Sequence, residues 1–283
     1  MAVDHLDLEV LPGEVFGFLG LNGAGKTTTI RILLDLLRPT SGNAAVFGHD
    51  CQSDSLKART DVGYLPGEMG VYSDSTGREM LSFWERIGGK KVSPEHRHNL
   101  LERFELSDRD LSRKLREYST GMKRKLGLIQ AFQTDPLLLI LDEPTEGLDP
   151  LMQESFYELL MDVRNRGRTV FMSSHVLPEV ERVCDRIAVL RKGKVVLLSS
   201  VEVARKLASR RVRVTFQRET SVPAQLPAGY EMIDAKPHTW TLRVTGPLGS
   251  LPSFLGALPV ADLAVEEAKL EDVLVKYYRD GAE

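Results

Sequence analysis

Val15-Phe-Gly-Phe-Leu-Gly-Leu-Asn-Gly-Ala-Gly-Lys-Thr-Thr28 decides the fold. Residues 15–19 form an unbroken apolar run bounded by glycine, the pattern of a strand buried on both faces. Gly20 to Thr27 fit G-x-x-x-x-G-K-[ST], the phosphate-binding loop. A helix is expected from about Lys26 to Leu37, stopped by the breaker cluster Arg38-Pro-Thr-Ser-Gly42. The chemistry follows from the residue types. Glycines let successive backbone N–H groups face inward around a phosphate, and the helix N-terminus adds its positive dipole end. Lys26 places a cation on the β and γ phosphates, and Thr27 offers a hydroxyl to Mg²⁺. Gly20, Asn22, Gly23, Ala24, Gly25, Lys26, Thr27 and Thr28 are therefore the candidate nucleotide-binding residues. A Gly-rich turn with a chance lysine is the bland alternative, and the strand–loop–helix context argues against it.

Working outward, the next signal is Leu137-Leu-Leu-Ile-Leu-Asp-Glu-Pro144. An apolar strand delivers Asp142 and Glu143 at its carboxyl end, where parallel sheets bind their ligands. Asp142 is placed to hold Mg²⁺, and Glu143 to polarise an attacking water as general base. Further strands are expected at 6–11, 44–48, 62–66 and 169–174, with a hairpin over 187–200 turning at Lys192-Gly193. Helical spacing marks 77–126, about 151–165 and a segment from Leu177. Strands alternating with helices up to about residue 200 imply a largely parallel α/β layer. From 205 the pattern changes: Arg211–Phe216 and Thr239–Val244 alternate strictly, and an amphipathic helix is expected over 269–279. Trp240, Tyr277 and Tyr278 read as packing residues.

The 283 residues carry a formal charge of −3, with 42% apolar and 27% charged side chains. That balance argues against a dedicated nucleic-acid binder. The basic stretch Arg109 to Lys125 therefore reads as a solvated helix flank. Two cysteines, Cys51 and Cys184, make no disulfide framework and suit a reducing cytosol. No run approaches the roughly 18–20 apolar residues of a membrane span, and the acidic start is no signal peptide. A soluble, cytosolic protein is expected. His96 and His98 lack the partners of a metal site.

With these residues in hand, the sequence resembles the ATP-binding subunits of ABC transporters. Tyr118-Ser-Thr-Gly-Met122 resembles the signature motif, with Ser119 and Gly121 kept while Thr120 and Met122 depart from its common form. The bland reading of Ser119 is a helix N-cap. Glu146-Gly-Leu-Asp149-Pro resembles the loop coupling two sites across a dimer. Ser173-Ser-His175 resembles the switch histidine, able to hydrogen-bond a γ-phosphate. The resemblance implies an α/β fold: a P-loop NTPase of the ABC ATPase type with an inserted helical subdomain at about 77–126 and a small C-terminal α+β appendage. The ATPase domain would occupy 1–204 and the appendage 205–283. It also implies ATP and Mg²⁺, with Lys26, Asp142, Glu143 and His175 as catalytic groups. Ser119, Gly121 and Asp149 would serve the partner's nucleotide in an ATP-bound homodimer.

Two positions depart from the family. Its glutamine loop should follow Val62-Gly-Tyr-Leu-Pro66, yet Gly67 stands there; Glu68, one residue later, is read as a partial substitute among the metal ligands. The aromatic that stacks on adenine is missing, since no Tyr or Phe precedes Phe16; the start is read as displaced downstream.

Within the family, the wording of 15–42, 63–66 and 118–132, and Leu270–Asp280, resembles the ATPases of ABC-2 type exporters. That implies separate transmembrane permease subunits, with Tyr72, Phe83 and Trp84 as candidates for the groove that receives them. It also implies a place on the inner face of the cell membrane, held only through the permease. A non-transport ABC ATPase acting on ribosome or DNA is the alternative. The stretch between Lys26 and Tyr118 leaves no room for the long coiled coil of DNA-repair relatives. A regulatory ATP-binding subunit is a third reading, and Glu143 argues against it.

Overall fold

The computed structural model describes residues 1–70, 73–207, 209–223 and 225–266. Tyr72 and the helix expected over 269–279 lie outside them. The chain divides into two compact units, one ending at Leu198 and the other starting at Ser199.

In the first unit β1 (Val15–Gly20) leads through the Gly-rich loop into α1 (Lys26–Leu33). The helix is shorter than its pattern because Asp35 turns left-handed (φ 54°) just after Leu34. A small ribbon, β2 (Ala45–Val46) with β3 (His49–Asp50), precedes α2 (Ser55–Arg59) and β4 (Val62–Leu65). Four helices follow: α3 (Gly77–Gly88), α4 (Pro94–Arg103), α5 (Asp108–Leu111) and α6 (Thr120–Phe132). Each starts at a hydroxyl N-cap: Thr76, Ser93, Ser107 and Ser119. Such caps satisfy backbone donors that the first turn leaves open. Then come β5 (Leu138–Asp142), α7 (Pro150–Asn165), β6 (Thr169–Ser174), α8 (Leu177–Val183), β7 (Arg186–Arg191) and β8 (Lys194–Ser200). Lys192 and Gly193 both take positive φ, as the tight β7–β8 turn requires.

The sheet runs β4-β5-β6-β1-β7-β8. β1 is parallel to β6 and β7, β5 to β6, and β4 to β5. This register aligns the carboxyl ends of β4, β1, β5 and β6 along one edge of the sheet. Behind that edge Phe16, Phe18, Ile30, Ile140 and Phe171 form a closed core, with the Phe16 and Phe171 rings stacked at 5.9 Å. Burying side chains of this size contributes about 1.5–3 kcal/mol each. The strand expected at 6–11 is not part of the sheet. Leu6, Leu8 and Val10 still pack against the core while Asp7 and Glu9 face water. The alternation thus reports burial on one side without a hydrogen-bonded ladder.

The second unit holds α9 (Val201–Leu207), β9 (Arg210–Phe216), β10 (Tyr230–Lys236), β11 (Thr239–Val244), α10 (Leu251–Leu255) and β12 (Val260–Glu266). Its antiparallel sheet runs β10-β11-β9-β12. Trp240 is fully buried there, edge-on to Phe216 at 4.4 Å. The division between the units falls within β8, ahead of the expected boundary at 204/205.

Candidate functional site

The Gly-rich loop closes on its own backbone. Ala24 N–H donates to the Leu21 carbonyl at 3.0 Å, and Gly23 and Gly25 take φ of 81° and 112°. A Cβ on Gly25 would lie 2.4 Å from the Ala2 carbonyl oxygen, so this position admits only glycine. Gly25 caps α1 without any side-chain acceptor, leaving the first-turn N–H groups to a ligand. Asn22 and Gly23 are exposed, whereas Ala24, Gly25 and Lys26 are buried. Lys26 Nζ donates to the Gly20 carbonyl at 2.5 Å and lies 3.1 Å from Glu143 Oε1. That Glu143 oxygen is buried without an aligned hydrogen bond, so the Lys26 contact is ionic.

The end of β5 meets this loop. Thr27 Oγ1 donates to Asp142 Oδ2 at 2.9 Å, and Ser173 Oγ donates to Asp142 Oδ1 at 2.5 Å. Ser173 Oγ also accepts from Glu143 N–H at 3.0 Å. Glu143 is left-handed (φ 50°), a conformation that costs a non-glycine residue about 1–2 kcal/mol. Its carboxylate is thereby placed between Lys26 and His175, whose Nδ1 lies 2.8 Å from Oε2. His175 itself is half exposed. Ser174 Oγ steadies this turn: it accepts from Val176 N–H at 2.9 Å and donates to the buried Glu179 at 3.2 Å.

Lys26, Thr27, Asp142, Glu143 and His175 are thus brought together. Ser173 belongs with them and was not singled out in the sequence. Its signal is the cross-strand register Asp142↔Ser173, which exists only once β5 and β6 pair. Arg124 is the larger departure. It sits in the stretch expected to be a solvated flank, yet it is 3% exposed. Its guanidinium donates to five backbone carbonyls: Pro66 (2.7 Å), Gly67 (3.1 Å), Asp142 (2.7 Å), Pro144 (3.2 Å) and Glu143.

Gly67 faces the site. A Cβ there would lie 3.3 Å from Asp142 Oδ2. Glu68, the expected substitute, is exposed. The chain bends at Gly67 and Glu68, after β4 has ended at Leu65. Among the described residues no three His, Cys, Asp or Glu side chains are grouped to hold a metal. The oxygen pair of Thr27 and Asp142 still fits Mg²⁺, a hard cation that keeps waters and phosphate oxygens as its other ligands. When bound, such an ion would neutralise charge on the phosphates.

The remaining expected residues are elsewhere on the surface. Ser119 is exposed and caps α6, accepting from Met122 N–H at 3.1 Å; Gly121 follows it. Asp149 is exposed and caps α7, accepting from Met152 N–H at 3.0 Å. Tyr118 anchors this region: its buried hydroxyl donates to the Asp110 carbonyl at 2.7 Å, and burial raises its pKa.

Fold and site together define a P-loop protein that binds a nucleoside triphosphate. The family model described as ABC transporter matches residues 3–146. The chain is 31% identical to the bacitracin transport ATP-binding protein BcrA of Bacillus licheniformis, covering 99% of this chain and 93% of that protein. It is 40% identical to the ABC transporter ATP-binding protein YhcH of Bacillus subtilis over 71% of this chain; the match spans 65% of YhcH. A solved ATP-binding subunit of an ABC transporter superposes with a TM-score of 0.66 at 31% identity, over 72% of this chain and 86% of that one. The chain belongs to the ABC transporter family. No helix among the described residues is long and apolar enough to cross a membrane.

Proposed function

We propose that this chain is the ATP-hydrolysing subunit of an ABC-2 type exporter, working as an ATP-closed homodimer beneath separate permease subunits. One observation carries the proposal. Lys26 and His175 converge on the Glu143 carboxylate, beside the Thr27–Asp142 oxygen pair, at the mouth of a loop with unclaimed N–H donors. In this reading Gly20, Asn22, Gly23, Ala24, Gly25, Lys26, Thr27 and Thr28 embrace the phosphates, and Thr27 and Asp142 hold Mg²⁺. Lys26 stabilises charge developing on the γ-phosphate. Glu143 orients and polarises the attacking water, and His175 senses the phosphate. Ser119 stands exposed at the start of α6 with the half-buried Gly121 just after it, which suits them to cap the nucleotide of a second copy; Asp149, also exposed, would lie beside them. The export role is supported by the likeness to BcrA along nearly the whole chain. The permease would hold the subunit at the inner face of the cell membrane.

The test is sedimentation of Glu143→Gln with and without Mg-ATP, with Lys26→Ala as control. An ATP-dependent dimer that Lys26→Ala does not form is the expected result. A monomer under both conditions would overturn the composite site. Recovery in membranes only with a co-expressed permease tests the partner.

A further inference from the structure

Arg124 is a buried cation whose hydrogen bonds, among the described residues, go to backbone carbonyls. Its five donors reach two separate chain segments: Pro66–Gly67, where the chain leaves β4, and Asp142–Pro144, where it leaves β5. Those segments flank the Asp142 carboxylate on two sides, since Gly67 faces Asp142 Oδ2. Burial lowers the guanidinium's pKa, and the negative charges of Glu146, Asp142 and Glu143 oppose that effect. Burying an arginine to satisfy carbonyls alone is a costly way to fill space, and a planar fork with five N–H groups is what spanning two segments needs. The residue also lies just inside α6, the helix that Ser119 opens. One side chain therefore ties the strand end carrying Glu143 to the element that presents Ser119 and Gly121.

We propose that Arg124 is a positioning residue for ATP hydrolysis: it fixes the backbone of Glu143, and so its carboxylate, and locks that backbone to the helix offered to the second copy. The inference rests on Glu143 being the group that polarises water. Arg124 touches no substrate; its effect passes entirely through the main chain at 142–144.

Steady-state ATPase rates and binding of a non-hydrolysable ATP analogue, measured on the full chain for Arg124→Lys and Arg124→Gln alone and combined with Glu143→Gln, test it. Lysine has three donors at one point and cannot span both segments. The expected result is a kcat lowered about tenfold or more, with analogue affinity within about threefold of the parent. In the Glu143→Gln background the same substitutions should change the residual rate less than about twofold, because the group they position is already disabled. A full parental kcat in both variants overturns the proposal. So does an additive loss in the Glu143→Gln background, or a loss of analogue affinity equal to the loss of rate; each marks a general structural role. Failure of both variants to fold does likewise. A normal rate for Glu143→Gln alone would instead remove Glu143 as the base, and the inference with it.

Discussion

The Glu143→Gln substitution tests more than turnover. In the structure the Glu143 carboxylate contacts the Lys26 ammonium, at 3.1 Å, and the His175 ring, at 2.8 Å. In the proposed function both groups turn to the phosphates when nucleotide binds, and Glu143 would then compete with the γ-phosphate for them. At 3.1 Å and an effective dielectric of about 20, the gross attraction of Lys26 and Glu143 is roughly 5 kcal/mol. Desolvation and the residual hydrogen-bonding capacity of glutamine reduce what is released. Hydrogen bonds to charged groups contribute about 1.5–3 kcal/mol net against about 0.5–1.5 for neutral ones. Removing the charge should therefore free about 1–2 kcal/mol, or about five- to thirtyfold in affinity. The assay is calorimetric titration with a non-hydrolysable ATP analogue, so that turnover does not enter. The Lys26→Ala background should show no such gain, because there is no cation left to release. Unchanged or weaker binding by Glu143→Gln, with Lys26 intact, would refute the argument that this carboxylate restrains the loop lysine.

Ser173→Ala removes the donor to Asp142 and leaves the Glu143 N–H without its acceptor; an orphaned buried donor costs about 1–3 kcal/mol, so turnover and the melting temperature of the first unit should both fall, readable by a coupled ATPase assay and scanning calorimetry. Glu68→Ala should leave the Mg²⁺ dependence of turnover unchanged, since Glu68 is exposed; a shifted Mg²⁺ titration would place Glu68 at the site after all. Trp240→Ala empties the core of the second unit and should cost it about 3–5 kcal/mol, while analogue binding stays within about twofold; a matching collapse of nucleotide affinity would mean that the two units do not fold independently.

Local chemistry was legible in the chain. A glycine that must take positive φ, a lysine that must follow it and an apolar run too continuous for a surface strand are properties of neighbours, so Val15 to Thr28 and Leu137 to Glu143 announced the loop and the acidic strand end. The N-cap Ser119 was legible for the same reason, whereas the Asp149 cap of α7 came only with the structure. Strand order was not, because pairing β6 between β5 and β1 is a contact across the chain, and with it went Ser173. Residues 6–11 misled because alternation records which side is wet, and a ladder needs a neighbouring strand. Arg124 misled because charge on a helix is solvated by default; only folding brings five carbonyls from two distant turns around it. The sequence by itself therefore determined which groups could hold phosphate and metal. The tertiary structure decided which of them meet, that Gly67 faces Asp142 while Glu68 is exposed, and that a cation buried beneath the strand ends holds them together, since those facts depend on through-space distances that no spacing along the chain encodes.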